Sequence, residues 1–375
     1  ALILTESTFS SKPFHFALPS MSVNEPEATL ELAARWNRNT GLLTIGNGVF
    51  RSTAAALRAQ QVATNLGGGP GQLSGEFNVW ANLELLSNQW RFSCRSTSPW
   101  RWRGTARGGV SLSEQEGVLT ARWNANLDDG ELLCKQASPE QPRIVPASAH
   151  QSWITVVREP NLQFNGSVQY DPANAKLRLE RCELVTADQQ SFTAQGTITD
   201  LFGACQADLN GQATYDLAPL LERARPFVGN SIQAIGKDTQ SFALKGSLRR
   251  ADSSSSTSNA PVVQESQPLI SPALTGHGGL SWAAANLLGV TVGGGKIQPR
   301  LDNGTIETGL IEFRLSDGQF RLVPHFYLNQ RPPSMTIDPG LVLESVEISE
   351  DMCAGWLKFV APIAAETTRA NGKFS

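Results

Sequence analysis

Apolar and polar residues alternate with a period of two along most of this chain. In Ala204–Tyr215, Cys205, Ala207, Leu209, Gly211, Ala213 and Tyr215 fall on one side, and Gln206, Asp208, Asn210, Gln212 and Thr214 on the other. Leu162, Phe164, Gly166, Val168 and Tyr170 alternate in the same way with Gln163, Asn165, Ser167 and Gln169. So do Phe192, Ala194, Gly196 and Ile198; Phe242, Leu244, Gly246 and Leu248; Leu119, Ala121, Trp123, Ala125 and Leu127; and Leu30, Leu32, Ala34 and Trp36. A strand with one apolar and one wet face is the unit of antiparallel sheet. The turn signals NRNTG, LDDG, YDPANA, DNG and SDG separate these runs and predict hairpin connections in a meander. LDDG places Asp128–Asp129 in a hairpin turn before Gly130.

A loose unit, apolar-x-apolar-x-Gly-x-apolar, occurs at Phe192–Ile198 and again at Phe242–Leu248. Glycine on the apolar side of a strand marks a bend or a close approach, and here it would let a sheet curl inward. Three short amphipathic helices interrupt the strands. In Asp216–Arg225, Leu217, Leu220, Leu221 and Ala224 make one stripe, Asp216 is the N-cap, Pro219 sits in the first turn, and Pro226 and Gly229 stop the helix. Ser281–Gly289 is the second helix, and Met352–Thr368 the third, with Glu350–Asp351 capping its start. Ala251–Pro268 is rich in Ser and bears Pro, which reads as a disordered inserted loop in preference to a subdomain boundary. The chain is thus expected to divide into residues 1–250, a linker at 251–271, and residues 272–375. It starts with Ala and stops at NGKFS, and reads as a piece of something longer.

Charge narrows the function classes. The 31 basic residues are scattered and outnumbered by 34 acidic ones, which argues against nucleic acid as a partner. Five cysteines lie far apart without CxxC pairing, so neither a disulfide framework nor a zinc site is expected. His15, His150, His277 and His325 are isolated, there is no GxSxG elbow, and the glycine runs at 67–71 and 293–296 read as loops or bends rather than phosphate cradles. No catalytic residue, metal site or cofactor is expected. No apolar run reaches the ~18 residues that a membrane-spanning helix needs. The most distinctive local feature is WRFSCRSTSPWRWRG, in which Trp90, Phe92, Trp100 and Trp102 alternate with Arg91, Arg101 and Arg103. Alternation alone puts the rings inward and the arginines in solvent, and that reading is preferred. A stacking platform for bases or sugars and a membrane-interface belt are the alternatives.

Burial sets the next step. A large apolar side chain gains roughly 1.5–3 kcal/mol on full burial. Leaving ten of them wet would forgo more than the ~5–15 kcal/mol of a typical domain. The apolar faces therefore need cover, from a second sheet, from the same sheet curled into a trough, or from an apolar ligand. The run Leu209–Leu248 resembles the repeat style of the AsmA-like and TamB-like bacterial envelope proteins: strand, short helix, then strand ending in Gly-x-apolar. Gly294–Pro324 is similar to their strand-rich C-terminal regions. The resemblance implies a mainly β protein, a long curled antiparallel β-sheet (an open groove or β-taco) with a few short amphipathic helices. It further implies a non-enzymatic envelope protein that binds or conducts phospholipid or another acyl lipid between membranes. Such a protein is periplasmic and held to the inner membrane by an anchor outside this stretch. On that reading Leu162, Phe164, Val168, Phe192, Ile198, Leu209, Tyr215, Phe242, Leu244 and Leu248 line the groove. The competing expectation is a structural or adhesive surface protein that binds carbohydrate through Trp90, Trp100 and Trp102. A hydrolase on a β scaffold ranks last, for want of a nucleophile–base pair.

Overall fold

A computed structural model describes residues 2–18, 21–66, 73–92, 100–135, 153–201, 203–228, 232–248, 271–287, 290–315, 318–330, 333–340, 342–348 and 372–374. The chain is mainly β, with a large antiparallel sheet that is not closed into a barrel. It forms two compact units, Ala1–Ala173 with Leu179–Gln189, and Asn174–Arg178 with Gln190–Ser375. The serine-rich stretch at 251–268 and the proposed third helix at 352–368, with its cap at 350–351, lie outside the described residues.

The first unit contains β1 (Leu2–Ser11), β2 (Phe14–Leu18), β3 (Met21–Glu25), β4 (Ala28–Trp36), β5 (Leu42–Ser52), β6 (Ala55–Asn65), β7 (Ser74–Asn82), α1 (Leu83–Gln89), β8 (Trp90–Phe92), β9 (Trp100–Gln115), β10 (Val118–Lys135) and β11 (Trp153–Asp171). Strands β4, β5, β6, β7, β9, β10 and β11 follow one another as antiparallel neighbours, and β1 pairs with β4 at the far side. Strands β2, β3 and β8 make a small separate sheet. The meander expected from the turn signals is present: NRNTG and YDPANA are turns.

LDDG is not a turn. Strand β10 runs straight through it, and the register against β9 slips between Asp128 and Glu131. Asp129 takes a left-handed φ of 50°, and Gly104 opposite it has φ 116°. Asp tolerates that region better than most side chains, so the same residues that favour a turn here make a bulge. The hairpin lies earlier, at Glu116–Gly117, where both residues have positive φ (54° and 79°) between paired Gln115 and Val118. Two such residues are what a two-residue hairpin loop requires. Helix α1 was not expected from periodicity. It is only seven residues long, and its one local signal is Asn82, whose Oδ1 accepts from the Leu85 N–H at 3.0 Å.

Strand β12 (Lys176–Thr186) belongs to the first unit from Leu179 on and to the second before it, and the second unit goes on with β13 (Ser191–Thr199), β14 (Gln206–Asp216), α2 (Leu217–Val228), β15 (Ile232–Ile235) and β16 (Lys237–Ser247). Strands β13, β14 and β16 pair in order, and short strands at Thr275–His277, Arg300–Asp302, Thr305–Glu307, Pro324–Tyr327 and Ser334–Ile337 extend the array. A second sheet joins β15 to Ala284–Leu287, Val290–Val292, Ile311–Leu315, Gly318–Leu322 and Leu343–Glu344. Its centre is a true core of Val292, Leu315 and Val346, ringed by Trp282, Phe313 and Phe320.

Helix α2 forms where the stripe predicts. The Asp216 carboxylate accepts from the Ala218 N–H at 3.2 Å, and Leu217 is buried, although Leu220 points to solvent. The helix runs on past Pro226 to Val228, because a proline in the last turn removes one hydrogen bond without ending the helix. The helix expected from Ser281 does not form over the described residues 281–287. Leu280–Trp282 and Ala284–Leu287 are strands. Trp282 lies over Gly295, meets Phe313 edge-on at 6.0 Å, and donates its indole N–H to the Gly293 carbonyl at 2.8 Å. Burying that ring is worth roughly 2–3 kcal/mol, more than the ~0.5 kcal/mol per residue by which alanines favour helix.

The repeated Gly-x-apolar unit has a local reason. Gly196 (φ 143°) and Gly246 (φ 121°) close the two units, and a Cβ at either would collide with a neighbouring backbone carbonyl, that of Asp208 or Ala273. Gly211 likewise faces a backbone carbonyl, that of Thr193, with the Phe242 ring beside it, whereas at Gly166 the Trp123 ring alone lies in the space a side chain would take. Glycine on the apolar side thus admits a neighbour's backbone or ring.

Candidate functional site: an open apolar sheet face

In the first unit the cross-strand pairings align the apolar residues of eight strands into rows. Phe9, Leu30, Phe50, Leu57, Val79, Gly108, Ala125 and Phe164 stand opposite one another from β1 to β11. The next row on the same face is Ser7, Leu32, Gly48, Ala59, Phe77, Val110, Trp123 and Gly166. A third runs through Leu4, Ala34, Ile45 and Val62, then Gly75, Leu112, Ala121 and Val168. The opposite face is more polar, with Glu31, Val49, Arg58, Asn78, Asn124 and Asn165 in a corresponding row, though Ile3 and Trp80 are exposed there.

This face is not sealed. Phe9 is 52% exposed, Leu57 37%, Val79 40% and Phe164 38%. The hydrophobic residues of the unit that are buried are mostly small, among them Ala28, Ala34, Ala54, Ala55 and Ala81. Three of these, Ala28, Ala55 and Ala81, occupy a margin row, at the end of the sheet where α1 follows β7. The second unit, by contrast, has the closed core described above.

Bulges cross the sheet in a line. The register slips at Leu4/Ser7 in β1, at Ala33/Ala34 between β4 and β5, and at Gln60/Ala63 between β6 and β7. Glu6 and Gln61 have positive φ at these slips. A bulge bends its strand and increases its twist, and it also shifts the period-two pattern by one residue. Phe9, Phe50 and Leu57 are hidden in the sequence for that reason: the alternation in β1, β5 and β6 breaks partway along each strand. The visible signal was LRAQQV, in which Leu57 and Ala59 are in phase and Val62 is one position late.

The ten residues expected to line a groove fall into two groups. Leu162, Phe164 and Val168 lie on the open face of the first unit. The rest belong to the second. There Leu209 stands opposite Leu244, while Phe192 and Phe242 stack at 4.8 Å across the strand that carries Gly211. Ile198 lies on the same side of β13 opposite Ala207, and Leu248 follows β16 in an exposed position. Tyr215 is tied up by polar groups: its hydroxyl oxygen accepts from the Ser281 N–H at 2.6 Å.

That contact belongs to a network. The Ser281 hydroxyl and the Gln240 amide both donate to Asp238 Oδ2, and the Thr239 N–H donates to Oδ1 at 2.7 Å. The Ser281 bond first, then Gln240 and Thr239, holds the Asp238 carboxyl below the usual aspartate range. The Lys237 ammonium, 2.8 Å from Asp216, does the same for that carboxyl. A depressed folded-state value means stability that is present above the unfolded value and lost as pH falls through the folded one. The second unit is therefore expected to weaken below about pH 4. A profile of thermal midpoint against pH checks this, and Asp238→Asn is expected to flatten its acid limb.

Among the described residues no group of three His, Cys, Asp or Glu side chains is placed to hold a metal ion, and no helix is long and apolar enough to cross a membrane. In the tryptophan–arginine segment, Arg101 lies 4.3 Å over the Trp153 ring, and Trp102 is 48% exposed. The inward placement expected for Trp102 therefore does not hold. The side chains of Trp90, Phe92 and Trp100 lie outside the described residues. Comparison with protein-family models, curated proteins and solved structures returns no match.

Proposed function

We propose that this chain is a non-enzymatic envelope protein of the AsmA-like kind, whose apolar sheet face binds or conducts acyl lipids, phospholipids foremost, between membranes. The observation that carries the reading is the row from Phe9 to Phe164, apolar across eight strands and left partly open. Six large side chains on this face, Leu2, Phe9, Leu30, Leu57, Val79 and Phe164, are more than a third exposed. At roughly 1 kcal/mol of unclaimed burial each, they amount to about 6 kcal/mol, comparable with the net stability of a domain. Hydrocarbon chains meet such a surface by non-directional contact, which needs area and no particular side-chain chemistry. The line of bulges favours a sheet that bends into a groove around its ligand. A periplasmic location and an inner-membrane anchor outside these residues belong to the same reading.

A second reading draws on the exposed Trp102 beside the exposed Arg101 and Arg103: a surface protein that stacks sugar rings. Protein purified without detergent, extracted into organic solvent and analysed by mass spectrometry separates the two. Co-purifying phospholipid is expected. Absence of lipid, together with no uptake of a fluorescent acyl probe, overturns the lipid reading, and tryptophan quenching by glycans would then favour the second.

A further inference from the structure

We propose that the polar face of the first unit binds an acidic glycan at a site centred on β7, β9 and β10. This is the side of the sheet opposite the open apolar rows, so the site does not depend on the lipid reading. Asn78, Gly109 and Asn124 stand directly opposite one another across the three strands. Glu76, Ser111 and Arg122 form the next row on one side of them. Trp80 and Arg107 lie in the next row on the other side.

Gly109 shapes the site. A cavity of about 230 Å3 lies here, lined by Glu76, Asn78, Gly109, Ser111, Arg122 and Asn124. A Cβ on Gly109 would stand 3.1 Å from Asn124 Oδ1 and 3.3 Å from Asn78 Oδ1, so both carboxamides lean over the space the glycine leaves. The Gly109 N–H donates to Asn124 Oδ1 at 2.9 Å, which fixes that amide and directs its two N–H donors away from the bond. In the neighbouring row the Glu76 carboxylate accepts, the Arg122 guanidinium donates and the Ser111 hydroxyl does both. The hydroxyls on neighbouring carbons of a sugar ring are themselves donors and acceptors, and a mixed set of planar groups matches them in pairs. Trp80, two residues from Asn78 on the same face, is 37% exposed and has the small Ala56 opposite it on β6. An uncovered indole stacks on the C–H face of a sugar ring. From the Trp80 row to the Glu76 row is about 14 Å along β7, at ~3.4 Å per residue, which is longer than one ring.

Charge selects the class of glycan. Arg58, opposite Asn78 on β6, is exposed, as are Arg107 and Arg122. Glu76 is the one carboxylate in these rows from β6 to β10. Three guanidinium forks against one carboxylate favour a sugar that carries carboxylates of its own. A nucleic-acid strand offers similar charge, but it is held by a succession of stacking rings, and these rows present a single one.

The test is isothermal titration calorimetry on the full chain with three probes: tetragalacturonate, its uncharged counterpart cellotetraose, and pentathymidylate as a polyanion without pyranose rings. Tetragalacturonate is expected to bind, and each of the other two about tenfold more weakly. Gly109→Ala fills the cavity and asks the two amides to give by a few tenths of an ångström. It and Trp80→Ala are each expected to weaken tetragalacturonate about tenfold, with a thermal melt like the parent's, while Trp102→Ala leaves binding unchanged. No binding of tetragalacturonate, cellotetraose or pentathymidylate bound as tightly, or parent-like binding by both the Gly109→Ala and Trp80→Ala variants overturns the proposal. Loss of binding in Trp102→Ala alone also overturns it and moves the sugar site to the tryptophan–arginine segment. Lipid carried on the apolar face is read separately, and none of these outcomes changes it.

Discussion

Phe164→Asp combined with Leu57→Asp is expected to cut the lipid carried by the purified protein about thirtyfold, because the two sites together lose roughly 2 kcal/mol of apolar contact. Both side chains sit in the same row of the open face, on strands β11 and β6, and both are more than a third exposed before any ligand arrives. An aspartate in their place puts a charge where an acyl chain would lie, and that charge stays hydrated only if the chain stays away. The fold is far less sensitive. Neither residue belongs to a sealed core, so each change is expected to cost about 1 kcal/mol of stability. The check is lipid mass spectrometry alongside a thermal melt. A variant that melts normally and still carries its full lipid load would show that this row is not the binding surface. Asn124→Asp, on the polar face, serves as the control and is expected to leave lipid content unchanged.

The largest effect on stability is expected at Glu25. This carboxylate is 0% exposed, at the end of β3. Its Oε1 accepts from the Ser52 hydroxyl at 3.0 Å and its Oε2 from the Thr53 hydroxyl at 2.8 Å. With its amide turned to face donors toward acceptors, Gln89 at the end of α1 donates to both oxygens, at 3.0 and 2.9 Å. One side chain thus clasps the β5–β6 corner and helix α1 to the small sheet. Glu25→Ala removes the acceptor shared by half-buried Ser52 and Gln89 and by exposed Thr53. The expected cost is about 3–4 kcal/mol, from the lost hydrogen bonds to a charged group, each worth roughly 1.5–3 kcal/mol. Glu25→Gln keeps one acceptor oxygen and is expected to cost about half as much. Denaturant titration followed by circular dichroism measures both. An alanine variant as stable as the parent would mean that water replaces the carboxylate at no cost.

Neither the clasp nor the open face was fully legible in the chain. Glu25 stands in a polar run, VNEPE, and nothing in that run distinguishes it from Glu27, which is partly exposed. Burial of Glu25 depends on Thr53 and Gln89, which are 28 and 36 or more residues away in sequence from the groups they meet. Leu162, Phe164 and Val168 were legible because β11 keeps its alternation unbroken there, with no register slip between Leu162 and Tyr170. Phe9 and Leu57 were not, because their strands carry bulges. Turn chemistry misled at Asp128–Asp129 for a related reason: residues that relax the backbone into positive φ serve bulges and turns alike.

By itself the sequence determined the β class, the meander, the polar and apolar sides of the regular strands, and helix α2. Each of these depends on residues within a dozen positions of one another, through side-chain alternation, capping and turn preference. Tertiary structure decided which rows line up across β1 to β11, that Ser281–Leu287 is strand rather than helix, and that the apolar face of the first unit stays open while the second unit closes a core around Val292. Those outcomes depend on pairing between distant strands. The energy gained there, by burying a ring such as Trp282 or by aligning one bulge with the next, exceeds the local preferences that a short window of sequence records.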